Sequence, residues 1–212
     1  MEVDRPGPGE ELNTGDVTVP RTAASVIVMR DSDAGPEVLL VQRNPAARFM
    51  GGAWVFPGGA VHDGDGEAAR TGLRELEEEA GLVIGDARDL IAWSRWITPA
   101  QVKIRFDTWF FVARAPDGAE PMCDGEECVD VRWLRPQDAL DAYGRDELLL
   151  VFPTIRHLQE LSTYQSVDNV LDTGRRRRIE PIEPRVVLDH GGVARILLPG
   201  EPGYDDAPVE PG

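Results

Sequence analysis

The sequence predicts an α/β fold, a mixed β-sheet covered by helices, and three observations carry that reading. Short apolar runs of strand character and segments of helical period occur in mixed order along the chain. An early helix, at about residues 66–80, divides the strands and is bounded by Pro57-Gly58-Gly59 and Gly81. Two later helical segments, Pro136 to Tyr143 and Thr154 to Leu161, supply cover for the sheet's other face.

Taken in order, residues 1–20 are rich in Gly, Pro and acidic residues and show no apolar period, so this segment is expected to be largely disordered. Ala23 to Met29 and Val38 to Gln42 read as strands joined through the turn-forming stretch Asp31 to Pro36, a hairpin. A loop from Arg43 to Gly52 leads to a strand at Trp54-Val55-Phe56. After the early helix come strands at Leu90 to Trp96, Thr108 to Ala113 and Val129 to Leu134. In the helix that follows Pro153, Ile155, Leu158 and Leu161 make a buried stripe. Tyr164 to Pro181 reads as a polar connection, and Arg185 to Leu188 with Val193 to Leu198 as a late hairpin about Asp189-His190-Gly191-Gly192. The chain is thus divided into a lead segment (1–20), one domain (21–163) and an extension (164–212) packed on the same domain.

The early helix is where chemistry concentrates. At about 100° per residue, Glu75, Glu78 and Glu79 fall within roughly a 100° arc and Glu77 projects opposite. Ala69, Leu73, Leu76 and Ala80 form a separate apolar stripe. Asp63 or Asp65 is placed to cap the start, and Gly81 sits where a left-handed residue ends a helix. The carboxylates therefore occupy the negative end of the helix dipole, and like charges four apart cost a further ~0.2–0.5 kcal/mol per pair. A divalent cation reverses both penalties, and Mg2+ takes oxygen ligands of this kind.

Composition excludes several functions. A formal charge of −16 repels a polyanion, so a general nucleic-acid binder is not expected; a phosphorylated small molecule needs local cations to offset that field. No apolar stretch is long enough to span a membrane, and the first residues do not read as a secretory signal, so a cytoplasmic protein is expected. Cys123 and Cys128 lack a second pair or a nearby histidine and read as reduced structural thiols rather than a zinc site. His62, His157 and His190 are scattered; only His62 lies near the acidic helix, as a solvated loop residue.

The string Arg74-Glu75-Leu76-Glu77-Glu78-Glu79-Ala80-Gly81-Leu82 resembles the second half of the Nudix box, G-x5-E-x7-R-E-U-x-E-E-x-G-U with U aliphatic, at every position. The first half departs: the box glycine falls on Ala60 and its glutamate on Gly66, whereas Gly59 and Glu67 are one residue away. Further stretches, Phe56-Pro57-Gly58-Gly59, Trp96-Ile97-Thr98-Pro99, Arg105 to Phe111, Arg132 to Pro136 and Phe152-Pro153-Thr154, are similar to a branch that includes coenzyme A diphosphatase-like proteins. The resemblance spans roughly residues 22–163.

It implies a Nudix-like α/β/α sandwich with the catalytic box on a loop-helix-loop. It also implies a hydrolase that uses Mg2+ or Mn2+ to cleave a nucleoside diphosphate linked to another group. Coenzyme A or an acyl derivative stands first among substrates, then ADP-ribose or NADH. By the same resemblance Glu75, Glu78 and Glu79 hold the metal with a carbonyl of Gly58 or Gly59, and Arg74 orients a glutamate. Glu127, six residues before Trp133, is the first choice for proton acceptor, with Glu126 and Glu75 as competitors. A homodimer is possible, as similar proteins often form one.

Arginine forks suit phosphates, and Arg43, Arg48 and Arg105 are the substrate-binding candidates. Trp54 and Trp96 read as core aromatics before base-stacking ones. The run Arg175 to Arg178 reads as a solvated loop pairing with surface acids before a phosphate contact. A nucleotide-sensing module that has lost hydrolysis is the competing function: the changed spacing from Gly59 to Glu67 favours it, the complete glutamate set opposes it.

Overall fold

The computed structural model describes residues 11–189 and 192–209. Its strands are β1 (Arg21–Ser32), β2 (Gly35–Arg43), β3 (Trp54–Val55), β4 (Gly58–Ala60), β5 (Ile91–Ile97), β6 (Phe106–Arg114), β7 (Cys128–Leu134), β8 (Pro181–Ile182), β9 (Arg185–Asp189) and β10 (Gly192–Leu197). Its helices are α1 (Ala68–Ala80), α2 (Pro136–Gly144), α3 (Phe152–Leu161) and α4 (Val167–Arg176). The first eight strands form one mixed sheet in the order β3-β2-β1-β6-β5-β8, with β4 added to β1 and β7 to β2. β1 and β6 run parallel, as do β5 and β8; the other pairs are antiparallel.

Side chains alternate across a strand, so a sheet buried on both faces reads as a continuous apolar run. In β1, Ala24, Val26 and Val28 meet α1, while Ile27 and Met29 point into the opposite core with Leu158, Leu161 and Val170. β2 divides likewise into Leu39 and Val41 against Val38 and Leu40. One helix therefore covers one face and three cover the other, the α/β/α sandwich expected from the sequence.

β1 shares one of its edges between two partners. β2 pairs with Met29 to Ser32, and β4 takes Ala23 to Ser25. This fork places Gly58 and Gly59 directly beneath α1, and no side chain fits there: a Cβ on Gly58 would stand 2.4 Å from the Ala24 carbonyl oxygen.

Three expectations need correction. The stretch 164–181 is no mere connection, since it holds α4. The Ser166 side chain caps that helix by accepting from the Asn169 N–H at 3.3 Å, and Val167, Val170, Leu171 and Gly174 form its buried stripe. The intervening Asp168, Asn169, Asp172 and Thr173 dilute the apolar period and hide it from a composition reading. The early helix is not capped by Asp63 or Asp65; its N-cap is Glu67, whose side chain makes no capping bond. Residues 11–18 are ordered against the 98–105 loop: Asn13 donates its N–H to the Gln101 carbonyl at 2.7 Å, and Lys103 its own to that of Glu11 at 2.9 Å. Residues 1–10 lie outside the described residues, as do His190 and Gly191 in the late turn. β9 and β10 themselves pair as an antiparallel hairpin.

The Arg175 to Arg178 run is used structurally. Arg177 lies 3.8 Å from the Trp93 ring centroid, donates to the Trp93 carbonyl at 3.1 Å and pairs with Glu160. Arg175 pairs with Asp172 and Arg178 with Glu180.

His157, on α3, is wholly buried with its ring 4.3 Å from that of Phe110. Its Nδ1 lies 2.6 Å from the Pro153 carbonyl oxygen, which can only accept, so Nδ1 carries the proton and Nε2 accepts from the Ser94 hydroxyl at 2.7 Å. Burial pushes its pKa down from the usual 6.5 to about 4. The folded chain then binds fewer protons than the unfolded chain between those values, so this contribution is complete above the unfolded pKa and is lost as pH falls towards 4. Urea titrations between pH 7 and pH 4 should show roughly 3 kcal/mol of stability lost through this residue, and His157→Gln should flatten the curve across that window.

Candidate active site

α1 delivers its acidic face onto the β4 backbone. Leu76 and Ala80 anchor the helix in the core, and Gly72 lets it approach β1, since a Cβ there would meet a Val26 methyl at 2.8 Å. Gly81 ends the helix in the left-handed conformation, φ +63°. Glu75 and Glu79 are consequently buried, at 7% and 2% exposure, while Glu77 points to solvent. Glu79 accepts the Gly58 N–H at 2.9 Å, stands 3.9 Å from an Arg43 nitrogen and bonds the buried Cys128 thiol. Glu75 fills the space a side chain on Gly59 would need, with its Oε1 2.4 Å from where that Cβ would sit.

Arg74 organises the remaining charge. Its guanidinium reaches Glu75 at 2.9 Å, Glu78 at 2.7 Å and Asp65 at 3.1 Å. Asp65 also accepts from the Thr71 hydroxyl at 2.8 Å and the His62 N–H at 3.0 Å. These donors, Arg74 first, hold Asp65 well below the usual carboxylate range and raise Arg74 in turn.

This answers the altered first half of the box. Gly66, where the pattern expects glutamate, has φ +77°, a conformation a glutamate would rarely adopt, and the carboxylate facing Arg74 is supplied by Asp65. Sequence spacing missed Asp65 because it was assigned to capping. It also missed Cys128, which only the β2 to β7 register brings under Glu79.

Burial raises both inner glutamates, Glu79 to about 7 and Glu75 in the same direction. The helix thus holds more buried carboxylate than its neighbouring arginines neutralise. Among the described residues no three acidic, histidine or cysteine side chains are clustered closely enough to grip an ion; the Arg74 guanidinium pairs with both Glu75 and Glu78. The donors nevertheless suit a hard divalent cation: they are carboxylate oxygens, and Glu78, held by Arg74, is 58% exposed.

A cavity of about 470 Å³ opens beside this cluster. Arg43, Arg74, Glu75, Glu78, Glu127 and the Gly58-Gly59 backbone line one part of it. Glu79 lies beneath, and Glu127 is exposed at the start of β7. Two of the three candidate substrate arginines are not brought in. Arg48 is exposed and does not line the cavity. Arg105 is buried and spends its guanidinium on the Thr98 and Thr18 carbonyls, at 2.8 and 2.9 Å, and on Glu183 at 2.8 Å. Glu126 does not line the cavity; His62 does, from an exposed loop. Trp54 and Trp96 belong to the core, and Trp96 also borders the cavity.

A mixed sheet between helices, with a buried glutamate helix facing a glycine turn, defines a hydrolase fold that the comparisons identify. The NUDIX domain model matches residues 19–153. The chain is 27% identical over 227 residues to nudix hydrolase 7 of Caenorhabditis elegans, covering 88% of this chain and 75% of that one. The solved NUDIX hydrolase of Alicyclobacillus acidocaldarius is 27% identical with a TM-score of 0.68, covering 73% of this chain and 96% of that one. The NUDIX domain of Shewanella oneidensis NrtR, solved with ADP ribose, shares the fold at 19% identity and a TM-score of 0.55, over 68% of this chain and 86% of that one. The chain belongs to the Nudix hydrolase family, which acts on pyrophosphate bonds. No helix among the described residues is long and apolar enough to cross a membrane.

Gly59→Ala should displace the Glu75 carboxylate and lower hydrolysis about 10- to 100-fold with little change in melting temperature. Gly58→Ala should instead lower stability, by about 1–3 kcal/mol, because its Cβ meets backbone. Parallel melting curves and turnover assays separate the two, and normal turnover in Gly59→Ala would break the link between this contact and catalysis.

Proposed function

We propose that the chain hydrolyses the diphosphate linkage of a nucleoside diphosphate joined to a second group, with coenzyme A or acyl-coenzyme A favoured and ADP-ribose or NADH next. The observation that carries this reading is one cavity that joins the box carboxylates Glu75 and Glu78 and the arginines Arg21, Arg43 and Arg74 to a roomy, largely apolar extension. The two described cysteines are free, which fits the reducing cytoplasmic setting included in the proposal.

In this reading Glu75, Glu78 and Glu79, with the Gly59 carbonyl, hold Mg2+ or Mn2+. Such an ion, when bound, offsets charge on phosphoryl oxygens and makes water easier to deprotonate. The chain's own groups supply the rest. Arg74, held by Asp65, fixes the directions of Glu75 and Glu78. Arg43 borders the cavity, where its guanidinium fork suits a phosphate oxygen.

Glu127 serves as proton acceptor. Its backbone is fixed by the Asn44 N–H on its carbonyl at 2.7 Å and by its own N–H on Asp124 at 3.0 Å, while its side chain stays exposed at the cavity. Burial raises the Glu75 pKa, and the nearby Glu78 and Glu127 charges act in the same direction.

The test is product analysis by mass after incubation with Mg2+ or Mn2+ and coenzyme A, ADP-ribose, NADH or dinucleoside polyphosphates. Glu78→Gln should lose about a hundredfold in turnover. Turnover within severalfold of the parent would overturn the metal assignment, and metal-dependent binding without any cleavage would favour the sensing module. Glu127→Gln should lower kcat and flatten the acidic limb of the pH–rate profile; an unchanged limb would exclude Glu127 as the base.

A further inference from the structure

The geometry points to an apolar-chain subsite built by the C-terminal hairpin: Val186 of β9 and Ile196 of β10 wall the far part of the catalytic cavity, where the aliphatic tail of a long-chain acyl group carried by the diphosphate substrate lies. This inference rests on the carboxylate helix being the diphosphate end, and it goes beyond that reading by naming what the other end holds.

Four observations carry it. Val186 and Ile196 are direct cross-strand partners, and both line the cavity that contains Glu75 and Glu78. Neither belongs to the two cores that flank the sheet: Val186 is buried and Ile196 half-buried beside the cavity instead. The lining contributed by residues 96–110, 151–154 and 184–196 contains no charged side chain, whereas the remaining lining carries Arg21, Arg43, Arg74, Glu11, Glu75, Glu78 and Glu127. Trp96, Phe106, Phe110 and Phe152 line this part, and the one guanidinium bordering it, Arg21, lies 4.9 Å from the Phe106 ring centroid. A nucleobase or sugar placed here would lose hydrogen bonds to water with few partners in return, whereas a methylene chain has none to lose.

The hairpin is also firmly held. The Arg185 guanidinium donates to the Tyr204 and Ala207 carbonyls at 2.6 and 3.2 Å and lies 4.3 Å from the Tyr204 ring centroid, and the Tyr204 hydroxyl donates to the Glu183 carbonyl at 2.8 Å. The buried Arg105 pairs with Glu183, tying the start of the hairpin to the sheet. The hairpin and the Tyr204 to Ala207 segment that holds it lie outside residues 19–153, the part matched by the family model, so the wall is an addition to the shared domain.

The test uses the full chain and measures kcat/KM with Mg2+ on acetyl-, octanoyl- and dodecanoyl-coenzyme A below their micelle concentrations, with metal-free calorimetric binding of the same series. The wild type should favour dodecanoyl over acetyl by about tenfold or more, mostly through KM. Ile196→Asn should bring that ratio to near one, whatever the absolute rates, while Ile196→Leu keeps it. Equal kcat/KM along the series, or a ratio untouched by Ile196→Asn, would overturn the subsite and leave the hydrolase reading standing. If no thioester is cleaved, the substrate reading fails. In that case tighter binding of the longer chain, lost in Ile196→Asn, still upholds the subsite, and equal binding sinks it.

Discussion

The close approach of α1 to the backbone of Gly58 and Gly59 is the contact on which the site depends. Two carboxylates are driven out of water against a strand that has no side chains to offer, and each finds a different accommodation. Glu79 takes the Gly58 N–H, and Glu75 occupies the volume left empty by Gly59. Burying carboxylates is costly unless they are paired or coordinate a cation. The core supplies the compensation: Leu76 and Ala80 are fully buried on the neighbouring stripe, so the helix cannot turn its acidic face to solvent without exposing them.

Arg74 keeps this arrangement from being a simple accumulation of negative charge. It meets three carboxylates, and its own position is set by Asp65, which is in turn held by Thr71 and the His62 N–H. The loop between β4 and α1 can therefore change length without loss of the charge network, provided one carboxylate still faces the arginine. Left-handed glycines at 64 and 66 permit the new path. In a chain of net charge −16, local pairing of this kind offsets part of the negative field at the cluster.

The segments flanking the family domain are part of the cavity. Glu11 and Leu12 line it from the lead segment, and Pro184, Val186 and Ile196 from the extension. The shared domain carries the chemistry of diphosphate cleavage, and the additions shape the space beside it. Function on this fold is decided by such grafted surfaces as much as by the box.

The early helix, its acidic arc, its apolar stripe and its glycine stop were legible in the sequence, because a helix writes its faces at a fixed period and nine consecutive residues suffice to display both. The strands β1, β2 and β6 were legible too, as short apolar runs bounded by turn-forming residues. Other features depend on contacts between residues far apart in the chain and leave no local period. Asp65 looks like any cap until Arg74 is folded back on it. Cys128 reaches Glu79 only through the register of β7 on β2, and Arg105 resembles a phosphate ligand until Thr18, Thr98 and Glu183 are seen to use up its donors. α4 fell between the two cases, with its Ser166 cap and i, i+3, i+4, i+7 stripe written in a segment whose polar residues outweighed them. By itself the sequence determined the helix chemistry and the layer architecture, since these follow from periodicity; tertiary structure alone decided which arginines stay free, which carboxylate completes the box and which segments wall the cavity, since those follow from long-range register and packing.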